Sequence, residues 1–157
     1  MKLRVRKLRS LALCFVLSAA AATAQGSGES VRMGQIRVTM ELVRSGKTVD
    51  TRTQAAEHLA SLTQKVSSNE VTATLIADLT SLLDSPDDSV RYWVAWALGN
   101  LGPAAKAAVP KLEEMLPKAD CLNGVITSAS GIRYALFKMG IKQPPRPKCV
   151  TERISGY

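Results

Sequence analysis

The sequence predicts an all-α fold, a short α-solenoid of about three stacked helical hairpins. Three observations lead there. Apolar residues recur at helical spacing in six segments, glycine and proline punctuate the gaps, and one motif returns at intervals of 38 and 39 residues. No segment alternates strictly apolar and polar over strand length, and no Asn-Gly turn stands between two such runs.

In chain order, residues 1–24 carry a secretory signal pattern. Lys2, Arg4, Arg6, Lys7 and Arg9 precede an apolar run from Leu11 to Ala22, and Ala22-Thr23-Ala24 offers small residues at both recognition positions of a signal peptidase. The run is shorter than the roughly 20 residues that span a bilayer comfortably. Cleavage is therefore favoured over retention as an anchor, with no membrane insertion afterwards. Cys14 follows Leu13, where lipidation would want a small residue. Residues 25–30 are small and polar and suit a flexible leader.

The helical domain is expected over 31–142. Ser30 is placed to cap a first helix through Val31, Ile36, Met40 and Val43, which Ser45-Gly46-Lys47 stops. A second helix starts at Asp50 or Thr51 and runs to about Gln64, with Ala55, Ala56, Leu59 and Leu62 on one side. Asn69 would cap a third, whose Val71, Leu75, Leu79, Leu82 and Leu83 form a stripe. Pro86 breaks the chain, Asp87 or Asp88 caps a fourth helix through Val90, Val94, Leu98 and Leu101, and Gly102-Pro103 ends it. A fifth covers Ala104 to Lys118 with Pro110 in its first turns, and a sixth runs from about Asn123 to Met139, closed by Gly140. The tail, residues 143–157, begins proline-rich and extended, and would hang loose unless Cys149 pins it.

The net charge of +8 is mostly the signal's. Beyond residue 24, 16 basic residues face 13 acidic ones, a balance of +3 with no basic run. Nucleic-acid binding needs clustered cations to displace counterions, so the composition speaks against it. Cys121 and Cys149 remain after processing. In an oxidising compartment such a pair is a disulfide candidate, the other reading being two independent thiols.

The repeat is sharpest at Val90-Arg91-Tyr92-Trp93-Val94-Ala95-Trp96-Ala97-Leu98-Gly99-Asn100-Leu101-Gly102. A shift back by 39 lays Arg52 on Arg91, Ala56 on Ala95, Leu59 on Leu98 and Leu62 on Leu101. A shift forward by 38 lays Ala135 on Ala97, Leu136 on Leu98, Met139 on Leu101 and Gly140 on Gly102. One hairpin cannot bury its own apolar stripe, so neighbours must stack. With Asp84-Ser85-Pro86-Asp87-Asp88 before it and Ala108-Val109-Pro110-Lys111-Leu112 after it, this motif resembles the HEAT repeats of the phycobilin-lyase-like class over roughly residues 40–140. The flanking units are degenerate, with His58 in place of a small alanine and Ser128-Ala129 in place of Val-Arg, as terminal repeats often are.

The resemblance implies that the second helix of each hairpin lines an inner face that grips partner proteins. It places Trp93 and Trp96 in slots that are usually polar and solvent-facing, with Tyr134 in the equivalent slot one repeat on. These rings, flanked by Asn100 and Lys138, are the candidate partner-binding strip, with Trp96 the more exposed; the alternative is that one tryptophan folds into the seam between repeats as core. Arg52 and Arg91 sit in the family's recurrent arginine slot, which implies bonds to turn carboxylates of a neighbouring unit, here Asp84, Asp87 or Asp88.

No catalytic set is expected. His58 is the only histidine, and Glu57 beside it points elsewhere on a helix. One histidine cannot build a zinc site without the cysteines, so neither metal nor cofactor is expected. Neither a nucleophile elbow nor a phosphate-cradling glycine loop is present, and Ser128-Ala129-Ser130-Gly131 suits close packing. The sequence therefore points to a non-enzymatic module that binds another protein after export into a periplasmic or extracellular space. The alternatives are an accessory subunit of an envelope complex or, from the family name, an enzyme acting on bilins.

Overall fold

The computed structural model describes residues 25–122, 127–147 and 149, with side chains from Val31 onward. The signal pattern in 1–24, Val125 and Ile126, and residues 150–157 lie outside the described residues. Six α-helices follow in order: α1 (Gln25–Ser45), α2 (Val49–Thr63), α3 (Ala73–Ser81), α4 (Asp88–Asn100), α5 (Val109–Ala119) and α6 (Ser128–Lys138). Short 3₁₀ segments, Leu82–Asp84 and Gly102–Ala108, follow α3 and precede α5. The described residues contain no strand, and the all-α solenoid holds.

α2, α4 and α6 lie side by side in one row, with α4 packed against both of the others. These are the helices that carry the repeated motif, so the interval in sequence becomes a step in space. α1 packs on α2, α3 on α4 and α5 on α6, which forms the second layer. The core lies between the layers: Ile36, Met40 and Val43 of α1, Leu59 of α2, Leu79 of α3, Val90, Val94 and Leu98 of α4, Leu112 and Leu116 of α5, and Ile132 and Leu136 of α6 are all buried. Each such side chain contributes roughly 1.5–3 kcal/mol by leaving water.

Small residues set how closely the row packs. A Cβ on Gly131 would lie 2.5 Å from the carbonyl oxygen of Tyr92 and 3.1 Å from its Cα, so α6 rests on the backbone of α4. The Ser-Ala-Ser-Gly stretch therefore does serve close approach. Gly102 and Gly140, one interval apart, both take left-handed backbone, with φ 58° and 76°, the conformation that ends a helix and that glycine adopts without a Cβ clash. After α6 the amide of Gly140 bonds the carbonyl of Phe137 at 3.0 Å and that of Ile141 bonds Leu136 at 2.9 Å, a Schellman pair. Pro103 has no amide to give a second bond of this kind after α4.

Several local expectations are corrected. Residues 25–30, expected as a flexible leader, fall within the span of α1. α2 is capped by Thr48, which shares a reciprocal capping box with Thr51, and not by Asp50 or Thr51. α3 is capped by Thr72, whose hydroxyl accepts from the Leu75 amide at 3.1 Å, and not by Asn69. The fifth segment opens as a 3₁₀ stretch, and its α-helix begins only at Val109, with Pro110 in the first turn, where its missing amide costs little. α6 starts at Ser128, later than Asn123.

Candidate functional site: an aromatic face across the helix row

Trp93, Trp96 and Tyr134 do come together, and Tyr92 joins them. The Trp96 and Tyr134 rings stack across α4 and α6 with centroids 3.8 Å apart and planes at 8°. Trp93 lies 6.4 Å from Trp96 and meets Tyr92 edge-on at 4.9 Å. Tyr92 in turn lies 5.7 Å from Trp96. All four rings are half-buried, and both tryptophans rest against the core while keeping part of their surface in water. Burial raises the pKa of the Tyr92 hydroxyl, because a phenolate would lose hydration there. Aromatic pairs of this kind add roughly 0.5–1.5 kcal/mol each beyond area burial, so the face is stiff.

Asn100 spends its amide on the row itself. Its Nδ2 donates to the Ala60 carbonyl at 2.8 Å and to the Thr63 hydroxyl at 3.3 Å, while its Oδ1 accepts from the Tyr134 hydroxyl at 3.1 Å. One side chain thus ties α2, α4 and α6 together. Lys138 is exposed at the last turn of α6, one turn beyond Tyr134.

At the other end of the row the turn carboxylates make a matching set of ties. Arg52 of α2 holds Asp87 at the start of α4, with Nε to Oδ2 at 2.7 Å, and also donates to the Gly46 carbonyl at 2.8 Å. The Asp87 hydrogen bond raises the pKa of the Arg52 guanidinium. Asp87 occupies the N-cap position of α4 without capping it, because its carboxylate is turned to Arg52. Asp88 reaches forward: it accepts from the Ser128 amide at 3.0 Å and from the Ser128 hydroxyl at 2.5 Å, seating the first turn of α6. Thr53 and Ser89 share a 2.8 Å bond between α2 and α4.

Arg52 therefore bonds a neighbouring unit, as the resemblance implies, whereas Arg91 stays within its own turn. It donates to the carbonyls of Ser85 at 2.7 Å and Pro86 at 2.8 Å and to Asp88 at 2.9 Å. Asp84 pairs with Lys111 at 2.8 Å and with neither arginine; the bond to Asp84 raises the Lys111 pKa.

Cys121 and Cys149 form a disulfide, with Cα atoms 5.3 Å apart. The chain is thereby tied back at Cys149, and residues 143 and 144 also meet α6. Arg133, which sequence reasoning missed, pairs with Asp120 through two bonds of 3.0 and 2.6 Å, the aspartate side chain being only 3% exposed. Phe137, 71% exposed on α6, was also missed. The shift of 38 lays it on Gly99, and a large ring in a slot held elsewhere by glycine was the available signal.

His58 and Glu57 are both exposed on α2. Among the described residues no three metal-ligating side chains gather, and no helix is long and apolar enough to cross a membrane. What the row can offer chemically is contact area: aromatic faces, a rigid support and peripheral charge.

No curated protein and no solved structure matches the chain. A family model described as HEAT repeats matches residues 36–128, from α1 to the first residue of α6. That span is more than half of the 157 residues, and with the row of repeated helices it shows that the chain belongs to the HEAT-repeat family.

Proposed function

We propose that this HEAT-repeat protein is a non-enzymatic interaction module that acts after export, in a periplasmic or extracellular setting, and holds another protein on the face formed by Trp93, Trp96 and Tyr134. The stacked Trp96–Tyr134 pair carries this reading. Two large rings from different helices are held flat against each other at the surface of a stiff row, and partly desolvated aromatics of this kind dominate protein-binding hot spots. Tyr92 widens the patch, and Lys138 supplies charge at its rim. The disulfide and the signal pattern support the export part together, since such a bond persists in oxidising compartments.

Replacing Trp93 and Trp96 with alanine tests the reading. The expected result is retained helical circular dichroism with loss of pull-down of a partner from an envelope or secreted fraction. Collapse of the helical signal would instead make both rings core. On the motif from Val90 to Gly102 we assign the repeats to the phycobilin-lyase-like class. The mature chain should leave the absorption spectrum of an added bilin unchanged; a spectral shift would revive the lyase alternative.

A further inference from the structure

We propose that residues 141–147 form a strap, latched by the Cys121–Cys149 disulfide over the edge of α6 that receives no further helix among the described residues, and that thiol–disulfide exchange with a dithiol reductant uncovers this edge. The repeat defines the edge. On α4, the side that receives α6 is marked by the Tyr92 backbone under Gly131 and by Gly99, where a Cβ would meet the Tyr134 ring at 2.8 Å. Moved forward by 38, Tyr92, Ala95 and Gly99 fall on Ser130, Arg133 and Phe137 of α6. A next helix of the row would pack there. In its place Arg133 donates to the Gln143 side chain at 3.3 Å and to the Pro144 carbonyl at 3.1 Å, and the Gln143 amide donates back to the Arg133 carbonyl at 2.8 Å. Ser130 and Phe137 stay exposed beside this clasp.

Three hydrogen bonds do not hold the strap unaided. Lys142 and residues 144–147 are exposed, so the strap buries little apolar surface beyond Ile141. Each hydrogen bond favours the docked state by about fivefold to tenfold net, while ordering each residue costs a comparable or larger factor. The covalent link between positions 28 apart tips this balance. Both cysteines are exposed, so a dithiol can reach them. One reductant thiolate attacks a sulfur to give a mixed disulfide, the second thiol displaces it, and two electrons and two protons pass to Cys121 and Cys149 as the reductant leaves oxidised. The uncovered edge occupies the position in the row at which α4 receives α6, with Arg133 and Phe137 where α4 carries Ala95 and Gly99.

The test uses the folded, oxidised chain before and after treatment with a dithiol, with trypsin cleavage after Lys142 and hydrogen exchange as readouts. The expected result is cleavage at Lys142 accelerated by about tenfold or more, from the same hydrogen-bond and ordering factors, with amides of α2, α4 and tryptophan emission unchanged. Cys149→Ser should show the fast cleavage without reductant. Equal rates in both redox states would overturn the proposal. So would rapid cutting of the oxidised form, or exchange that rises across α4 along with the tail, which would make the disulfide a global staple.

Discussion

Substituting Gly131 with alanine inverts the usual effect of adding a methyl group to a helix. In an open helical position the change stabilises by about 0.5–1 kcal/mol through chain entropy and propensity. At Gly131 the new Cβ would sit 2.5 Å from the Tyr92 carbonyl oxygen and 3.1 Å from two further backbone atoms. Backbone inside α4 cannot swing aside as a side-chain tip does, so α6 must lift away. Overpacking of this kind costs about 1–3 kcal/mol. Lifting α6 also strains the 3.1 Å Tyr134–Asn100 bond and the 3.8 Å stack on Trp96, each worth about 1 kcal/mol. Against the propensity gain, the net is a loss of about 2 kcal/mol, or roughly 4–8 °C in Tm for a chain of this size. Thermal melts by circular dichroism, with tryptophan emission followed in parallel, measure it. Gly34, exposed on α1 with nothing within 4 Å of an added Cβ, is the control: Gly34→Ala should raise Tm. A Gly131→Ala melt at or above the parent's would refute the close approach of α4 and α6.

Asp88→Ala should lose about 2–3 kcal/mol, because the Ser128 amide and hydroxyl lose a charged acceptor, and Asp88→Asn should recover part of it in denaturant titrations. Asn100→Ala should cost about 2 kcal/mol by leaving the buried Thr63 and the Tyr134 hydroxyl without their tie, with a visible change in tryptophan emission as the Trp96 stack loosens. Glu70 is held below the ordinary carboxylate value of 4.5 by the Ser67 hydroxyl and amide, with Arg32 adding to the effect. A lowered folded pKa contributes stability that is present above pH 4.5 and lost as pH falls through the folded value. The Tm difference between the parent and Glu70→Gln should therefore shrink on acidification below that point, and a constant difference would contradict the assignment. Gly140→Ala should destabilise by about 1 kcal/mol through its left-handed backbone, read by chemical denaturation.

The row of repeated helices was legible because its signal is periodic and redundant: Leu59, Leu98 and Leu136 recur at the interval and are all buried. The meeting of Trp93, Trp96 and Tyr134 was legible for the same reason, since equivalent slots on adjacent helices must be neighbours. What depended on local competition was not. Thr48 and Thr72 won the capping positions over Asp50 and Asn69 because a short hydroxyl placed one residue outside the helix reaches the open amides. The destination of each carboxylate was equally hidden. Asp87, Asp88 and Asp84 are crowded in one turn, yet they go to Arg52, Ser128 and Lys111, and only the register of the assembled row decides which partner is in reach. Asp120 and Arg133 lie 13 residues apart and carry no motif.

The ties at both ends of the row bear on how the molecule comes apart. Stacked helical arrays can fray from their termini, one unit melting while the rest stay ordered. Here α4 is fastened to each neighbour near its first turn and again near its last, so no member of the trio can detach without orphaning polar groups on the next. Melting should then be a single cooperative event, in which calorimetric and van't Hoff enthalpies agree.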